Sequence, residues 1–148
     1  MTTPPDVKHV LFICTGNYYR SRYAEAYFNH LVEKRRLTGW RAFSRGLATE
    51  LAMGLISIHT VERLEKNKIP LIHCSEKPAP LTEEDLKTAH VIIALKREEH
   101  LPMMQTLFPD WATRIDYWDI HDIDQAPPET ALPEIETRVT TLLDKLSR

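Results

Sequence analysis

The segment CTGNYYRS, residues 14–21, constrains the fold of this chain more than any other feature of the sequence. The apolar run HVLFIC leads into it, and residues with the apolar spacing of a helix follow it. This order predicts a strand over residues 7–13, a short loop, and a helix whose first unpaired backbone N–H groups point back at the loop. Such a strand–loop–helix unit is typical of an α/β domain.

The loop itself combines three groups suited to phosphate chemistry. Backbone N–H groups at a helix N-terminus, together with the helix dipole, bind tetrahedral oxyanions. Arg20 adds a planar guanidinium that can bind two phosphate oxygens at once. A thiol in this positive field ionises readily, so we expect Cys14 to be a thiolate near neutral pH. The segment therefore indicates catalysis through a cysteinyl-phosphate.

Composition indicates one domain and excludes several classes of protein. A chain of 148 residues, 43% apolar and 27% charged, is expected to form a single domain over residues 1–148, with residues 1–6 as a loose tail. A net charge of −2 offers no basic surface for nucleic acid. No apolar run is long enough to span a membrane, and residues 1–9 lack the apolar core of a signal peptide. Two distant cysteines favour a reducing, cytoplasmic location over a disulfide scaffold.

Strand and helix patterns alternate along the whole chain. Strands are predicted over residues 7–13, 40–44, 91–95 and 115–118, and helices over residues 21–36, 53–67 and 97–108, with a brief helix after Thr82 and a long one from Pro127–Pro128. This alternation predicts a single three-layer α/β domain: a four-stranded parallel sheet, helices on both faces, and a phosphate-binding loop after the first strand. Ligands of such sheets bind at the carboxyl ends of the strands, where Cys14 lies.

The residues of this loop also resemble a known signature. CTGNYYRS is similar to the Cys-x-Gly-Asn-x-Cys-Arg-Ser loop of the low-molecular-weight protein tyrosine phosphatases. Downstream, GWRAFSRG resembles the second strand of that family, LTEEDLKTAHVIIAL its third, and YWDIHDID its acid-bearing loop. The resemblance covers about residues 7–146. It implies a phosphomonoesterase that acts on phosphorylated proteins, chiefly at phosphotyrosine, or on small aryl phosphates, without a metal or cofactor.

The resemblance also assigns roles within the loop. Cys14 would attack phosphorus, and Arg20 with the loop N–H groups would hold the phosphate oxygens. Ser21 would donate a hydrogen bond to the thiolate. The phosphate-binding set comprises Thr15, Gly16, Asn17, Tyr18, Tyr19 and Ser21.

The general acid is expected in the loop after the last strand, which contains Asp116, Asp119, Asp122 and Asp124. Aligning Trp118 with the aromatic residue that precedes the family's aspartate favours Asp122, although Ile123 replaces the usual proline. Asp119 is the alternative.

Several positions depart from the family pattern. Tyr19 replaces the second loop cysteine, which in relatives can form a protective disulfide with the nucleophile. Arg22 replaces a proline and Arg45 an alanine; both are expected at the pocket mouth, with ordinary surface charge as the alternative. Tyr18 stands where arginine phosphatases of this family carry threonine, which argues against that activity. Residues expected to form the substrate wall are Tyr18, Trp40, Arg45, Tyr117 and Trp118. His73 is a candidate partner of Asn17, and Cys74 a packed residue.

Two alternatives to a phosphatase stay open. The chain could be a phosphate-binding or phosphoprotein-binding module with little turnover. An arsenate reductase is the weaker alternative, because ALKREEHLP lacks the cysteines that such relatives carry after the third strand. The sequence indicates neither a physiological substrate nor an oligomeric state.

Overall fold

The strands form one parallel sheet, as the sequence predicts. A computed structural model describes residues 7–148, so the tail predicted for residues 1–6 lies outside the described residues. The strands are β1 (Lys8–Cys14), β2 (Trp40–Gly46), β3 (Val91–Ala94) and β4 (Asp116–Tyr117). Their spatial order is β2-β1-β3-β4, and every neighbouring pair is parallel.

Five α-helices connect and cover these strands: α1 (Arg20–Lys34), α2 (Ile58–Lys66), α3 (Glu83–Thr88), α4 (Arg97–Leu107) and α5 (Pro128–Leu146). Short 3₁₀ turns cover Thr49–Leu51 and Leu71–His73. The helix predicted from residue 53 begins only at Ile58, because the Ser57 side chain caps it by accepting from the His59 N–H. None of the helices in residues 7–148 is long and apolar enough to cross a membrane.

Alternation along the central strand β1 produces two cores. Val10 and Phe12 face one side, where α1, α2 and α5 pack, whereas Leu11 and Ile13 face the side covered by α3 and α4. All four residues are fully buried. The sheet is therefore the middle of three layers, as expected for a parallel sheet with helices on both faces.

The parallel register brings the strand ends together at one edge. Cys14 pairs with Gly46 of β2, and Ile13 with Ala94 of β3. The loops that follow β1, β3 and β4 consequently meet at this edge, which is where ligands of such sheets bind.

Gly46 makes the close approach of β2 to the loop after Cys14 possible. A Cβ at this position would lie 2.8 Å from the Thr49 methyl group and 2.9 Å from the backbone N of Asn17. Backbone atoms cannot yield as a side chain can, so the loop itself would have to move.

We predict that Gly46→Ala lowers the free energy of unfolding by about 1–3 kcal/mol, because it forces a methyl group into packed backbone. Gly39→Ala is the matched control, since no atom lies within 4 Å of its added Cβ. Urea unfolding of both variants tests this prediction, and equal losses in the two would contradict it.

Candidate active site

Asn17 organises the loop between β1 and α1. It is buried and has a φ of 52°, a left-handed conformation that asparagine tolerates. Its side-chain Oδ1 accepts from the Ala79 N–H at 2.9 Å. Since a backbone N–H can only donate, this contact fixes the amide orientation and leaves Nδ2 as the donor on the other side.

The orientation of Asn17 determines the hydrogen bonds that reach the sulfur of Cys14. Asn17 Nδ2 donates to Ser21 Oγ at 2.8 Å and to Ser44 Oγ at 2.9 Å. The hydroxyl hydrogen of Ser21 is then free for Cys14 Sγ, 3.0 Å away. A Cys14 thiolate has no hydrogen to donate, so Ser21 is the donor to that form, and a thiolate accepts such a bond more strongly than a thiol does.

This series of hydrogen bonds ends at a buried acid, Glu25, which the sequence alone did not indicate. Ser44 Oγ donates to Glu25 Oε1 at 2.5 Å, and Ser75 Oγ donates to Glu25 Oε2 at 3.0 Å. Burial raises the pKa of Glu25, while the hydrogen bonds from Ser44 and Ser75 act in the opposite direction. One pattern in the sequence was consistent with its burial: Glu25 stands between Ala24 and Ala26, and all three residues are buried in α1.

Arg20, the first residue of α1, is held by acidic and carbonyl groups. Its Nη1 donates to Glu99 Oε1 at 3.1 Å and to the Ile120 carbonyl at 3.0 Å. Its Nη2 donates to Glu99 Oε2 at 2.7 Å and lies 3.4 Å from Asp122 Oδ2. The bidentate pair with Glu99 fixes the guanidinium before any ligand arrives.

Glu99 and His100 form the second group that sequence reasoning missed. Burial raises the pKa of Glu99, but hydrogen bonds from His100, Arg20 and Thr15 overcome this and hold the pKa well below its usual range. His100 Nδ1 accepts from the Lys96 N–H at 3.0 Å, so its Nε2 carries the hydrogen that faces Glu99 Oε2 at 3.1 Å. Burial also lowers the pKa of His100 and favours the neutral ring. The sequence offers one signal for this pair: Glu99 and His100 follow β3, and Cys14 follows the neighbouring parallel strand β1. The ends of both strands therefore lie at the same edge of the sheet.

The aspartates of the acidic loop occupy different places. Asp122 faces Arg20 with a side chain that is 37% exposed. Asp119 is exposed and lines a separate depression with Arg97, Tyr117 and Trp118. The structure therefore brings Asp122, rather than Asp119, beside the arginine of the loop.

The residues predicted for a substrate wall do not all come together. Trp40 begins β2, at the opposite end of the strand from Cys14, and its ring contacts Lys8 Nζ at 5.6 Å from the centroid. The prediction for Trp40 is therefore wrong, because a parallel register places the first residue of β2 far from the loop. Tyr18 belongs to the loop, and its carbonyl accepts from the Ser57 N–H at 2.9 Å.

The remaining wall candidates are held elsewhere. Arg45 Nε lies 3.1 Å from Asp85 Oδ2, so this arginine contacts α3 instead of extending over the mouth. Tyr117 donates its hydroxyl to the Ala112 carbonyl at 2.6 Å, and Trp118 packs against Phe12 with ring centroids 5.6 Å apart.

Tyr19 and Arg22, which depart from the expected loop pattern, are both buried. Tyr19 packs edge-on against His59, 6.3 Å between centroids, and burial raises the pKa of its hydroxyl to about 12. Arg22 lies behind the loop, so its predicted position at the mouth is wrong. Cys14 and Cys74 are both free thiols, and burial raises the pKa of Cys74.

Two further predictions concern His73 and metal binding. His73 Nε2 lies 3.3 Å from Glu33 Oε2, and the Ala79 N–H takes the position at Asn17 proposed for His73. No group of three or more His, Cys, Asp or Glu side chains within residues 7–148 is arranged to hold a metal ion.

Comparison with known proteins gives consistent matches. A family model described as "Low molecular weight phosphotyrosine protein phosphatase" matches residues 9–148. The protein-arginine-phosphatase of Bacillus subtilis is 35% identical over 95 residues, which cover 60% of this chain and only 56% of that relative. A low molecular weight protein tyrosine phosphatase from T. tengcongensis has 28% identity and a TM-score of 0.78, covering 93% of this chain and 99% of that one. The YwlE arginine phosphatase from Geobacillus stearothermophilus has 26% identity and a TM-score of 0.74, covering 95% and 93%.

We predict that Glu99→Gln lowers the free energy of unfolding at pH 7 by about 1–3 kcal/mol, because it removes a charged partner of a buried arginine. The pKa of Glu99 is lower in the folded state than in the unfolded state, where it is about 4.3. The Glu99 carboxylate therefore contributes fully to the free energy of unfolding above about pH 4.3, and this contribution is lost as the pH falls towards the folded-state pKa. The difference between wild type and variant should therefore narrow from pH 5 to pH 3 in urea unfolding.

Glu98→Gln is the matched control, because Glu98 is an exposed neighbour on the same helix. It should change the free energy of unfolding by less than about 0.5 kcal/mol at either pH. A wild-type to Glu99→Gln difference that stays constant with pH would contradict the assignment.

Proposed function

Because the chain belongs to the low molecular weight phosphotyrosine protein phosphatase family, we propose that it hydrolyses phosphate monoesters, chiefly phosphotyrosine in proteins, through a cysteinyl-phosphate. One observation carries this proposal: the Ser21 hydroxyl lies 3.0 Å from Cys14 Sγ, in a loop that ends at an arginine fixed by Glu99. All these groups lie at one sheet edge, which supports a single catalytic domain over the whole chain.

In the first step, the Cys14 thiolate attacks phosphorus in line with the leaving oxygen. The S–P bond forms while the P–O bond to the leaving group breaks. The loop N–H groups of residues 15–20 and the Arg20 guanidinium hold the equatorial oxygens and stabilise their charge. Asp122, which lies 3.4 Å from Arg20 Nη2, transfers its proton to the departing oxygen.

In the second step, water attacks the phosphorus of the cysteinyl-phosphate. The Asp122 carboxylate takes a proton from this water as the new P–O bond forms. The S–P bond breaks, phosphate leaves, and the thiolate returns with the hydrogen bond from Ser21 that supported it at the start. Each group is thereby restored for the next cycle.

A protein substrate is supported by the surface beside the loop. Leu51, Met53 and Leu55 are 65%, 90% and 65% exposed, and they belong to the segment that contacts Tyr18 through Ser57. Apolar side chains at this exposure favour contact with an aromatic ring or with apolar residues of a phosphorylated partner.

Phosphoarginine is the second candidate substrate. The 35% identity to the Bacillus subtilis protein-arginine-phosphatase favours it. Tyr18 argues against it, because the resemblance to the family implies threonine at that position in its arginine phosphatases. The ring at position 18 can stack on the aryl group of phosphotyrosine, whereas the phosphorylated guanidine of phosphoarginine offers no aryl ring.

We predict that the protein releases phosphate from a phosphotyrosine peptide at least about tenfold faster, by kcat/KM, than from a phosphoarginine peptide, because only the aryl group stacks on Tyr18. Cys14→Ser should abolish both activities and keep the free energy of unfolding near that of wild type. The reverse order of substrates would make the chain an arginine phosphatase. Binding of phosphate without turnover would instead support a phosphoprotein-binding module.

We predict that Asp122→Asn lowers kcat on p-nitrophenyl phosphate or phenyl phosphate by about 10²–10⁴, the range for loss of a general acid. Phenyl phosphate has the poorer leaving group, so kcat should fall by a larger factor on phenyl phosphate than on p-nitrophenyl phosphate. Asp119→Asn is the matched control and should change kcat by less than about threefold. A larger loss for Asp119→Asn would transfer the role of the acid to Asp119.

A further inference from the structure

Arg22 stands where the family has proline, and it is one of the most buried charged residues in residues 7–148. It follows Ser21 in the first turn of α1, and only 1% of its surface is exposed. A buried guanidinium is costly unless its donors find acceptors. The hydrogen-bond acceptors around Arg22 therefore explain how its buried charge is stabilised.

Arg22 binds backbone carbonyl groups of three separate segments. Its Nη1 donates to the Asn17 carbonyl at 3.2 Å and to the Leu55 carbonyl at 2.7 Å. Its Nη2 donates to the Ser75 carbonyl and lies 3.8 Å from Cys74 Sγ. Its Nε has no hydrogen-bond partner within residues 7–148, so the two Nη groups provide the stabilisation.

The contact with Asn17 bears on the shape of the phosphate-binding loop. When successive N–H groups point inward at an anion, the carbonyl groups of the same peptides point outward and need other donors. Asn17 is fully buried, so water cannot serve its carbonyl. Arg22 supplies that donor from behind the loop, whereas a proline has no side-chain donor at all.

The other contacts fix Arg22 itself and extend its reach. Ser75, whose carbonyl accepts from Arg22, also donates its hydroxyl to Glu25 on the same helix as Arg22. The Leu55 carbonyl joins the guanidinium to the segment that also contacts Tyr18 through Ser57. One side chain thus links the rear of the loop to the surface beside its mouth.

We propose that Arg22 is a positioning residue that holds the loop of residues 14–20 in the shape that binds a tetrahedral oxyanion. This inference rests on the proposed function, because it assumes that the loop is the phosphate site. It acts through Asn17 and does not require Arg22 to touch the substrate.

The test measures binding of tungstate, an oxyanion that is not turned over, by titration calorimetry. Arg22→Met keeps an unbranched apolar stem and removes the donors, so the dissociation constant should rise by at least about tenfold. The kcat/KM for p-nitrophenyl phosphate should fall by a similar factor.

Arg63→Met is the matched control. Arg63 is a partly buried arginine on α2 whose guanidinium binds Glu136 at 2.8 Å and 3.0 Å instead of a group of the loop. This variant should lose stability, yet its tungstate dissociation constant should stay within about twofold of wild type, because a purely structural loss does not reshape the loop.

A dissociation constant within about twofold of wild type for Arg22→Met would overturn the inference. If Arg22→Met does not fold, Arg22→Lys decides: it keeps the charge, but its single nitrogen cannot take the separate positions of Nη1 and Nη2 from which Arg22 reaches the carbonyl groups. Binding should therefore weaken at least about threefold, and unchanged binding would overturn the inference. A wild-type protein that binds tungstate but hydrolyses nothing would defeat only the proposed function. Failure of wild type to bind tungstate would overturn both.

Discussion

The buried side chain of Asn17 holds the Ser21 hydroxyl beside the sulfur of Cys14. Its Oδ1 is committed to the Ala79 N–H, so its Nδ2 must donate to Ser21 and Ser44. A single backbone contact on one side of the amide thereby leaves the Ser21 hydroxyl hydrogen available to a Cys14 thiolate on the other side. Such chains of hydrogen bonds strengthen one another where the surroundings exclude water. The left-handed backbone of Asn17 is what brings these partners within reach.

Two buried arginines hold this loop from opposite sides by different means. Arg20 faces the binding side, and Glu99 fixes it through a bidentate ion pair. Arg22 lies on the rear side and binds neutral carbonyl groups instead. The first arrangement orients a charge toward a ligand, whereas the second satisfies peptide groups that the ligand-binding shape leaves without donors. Because both guanidinium groups are oriented in advance, binding of a phosphate ligand would cost less conformational entropy.

The sequence predicts the features that neighbouring residues determine better than the contacts between segments that are distant along the chain. The strand, loop and helix around Cys14 follow from neighbouring residues, and the parallel sheet follows from their repetition. The start of α2 was misplaced because apolar spacing extended past the cap at Ser57. Glu99 and Arg22 act across loops that only the fold brings together, and a sequence cannot distinguish a buried arginine from a solvated one. The error on Trp40 was avoidable, since strand direction alone assigns it to the far end of β2.

The aromatic ring at position 19 alters the consequences of oxidation. In a loop with two thiols, a sulfenic acid on the nucleophile can condense with its neighbour, and reductants later reverse that disulfide. Here the neighbour is Tyr19, packed edge-on against His59, and Cys14, the proposed nucleophile, is only 2% exposed. Repair after exposure to peroxide is left to a small thiol from solution or to a main-chain nitrogen of the loop. The same burial that limits this repair also limits the first encounter with the oxidant, so steric access controls both damage and recovery.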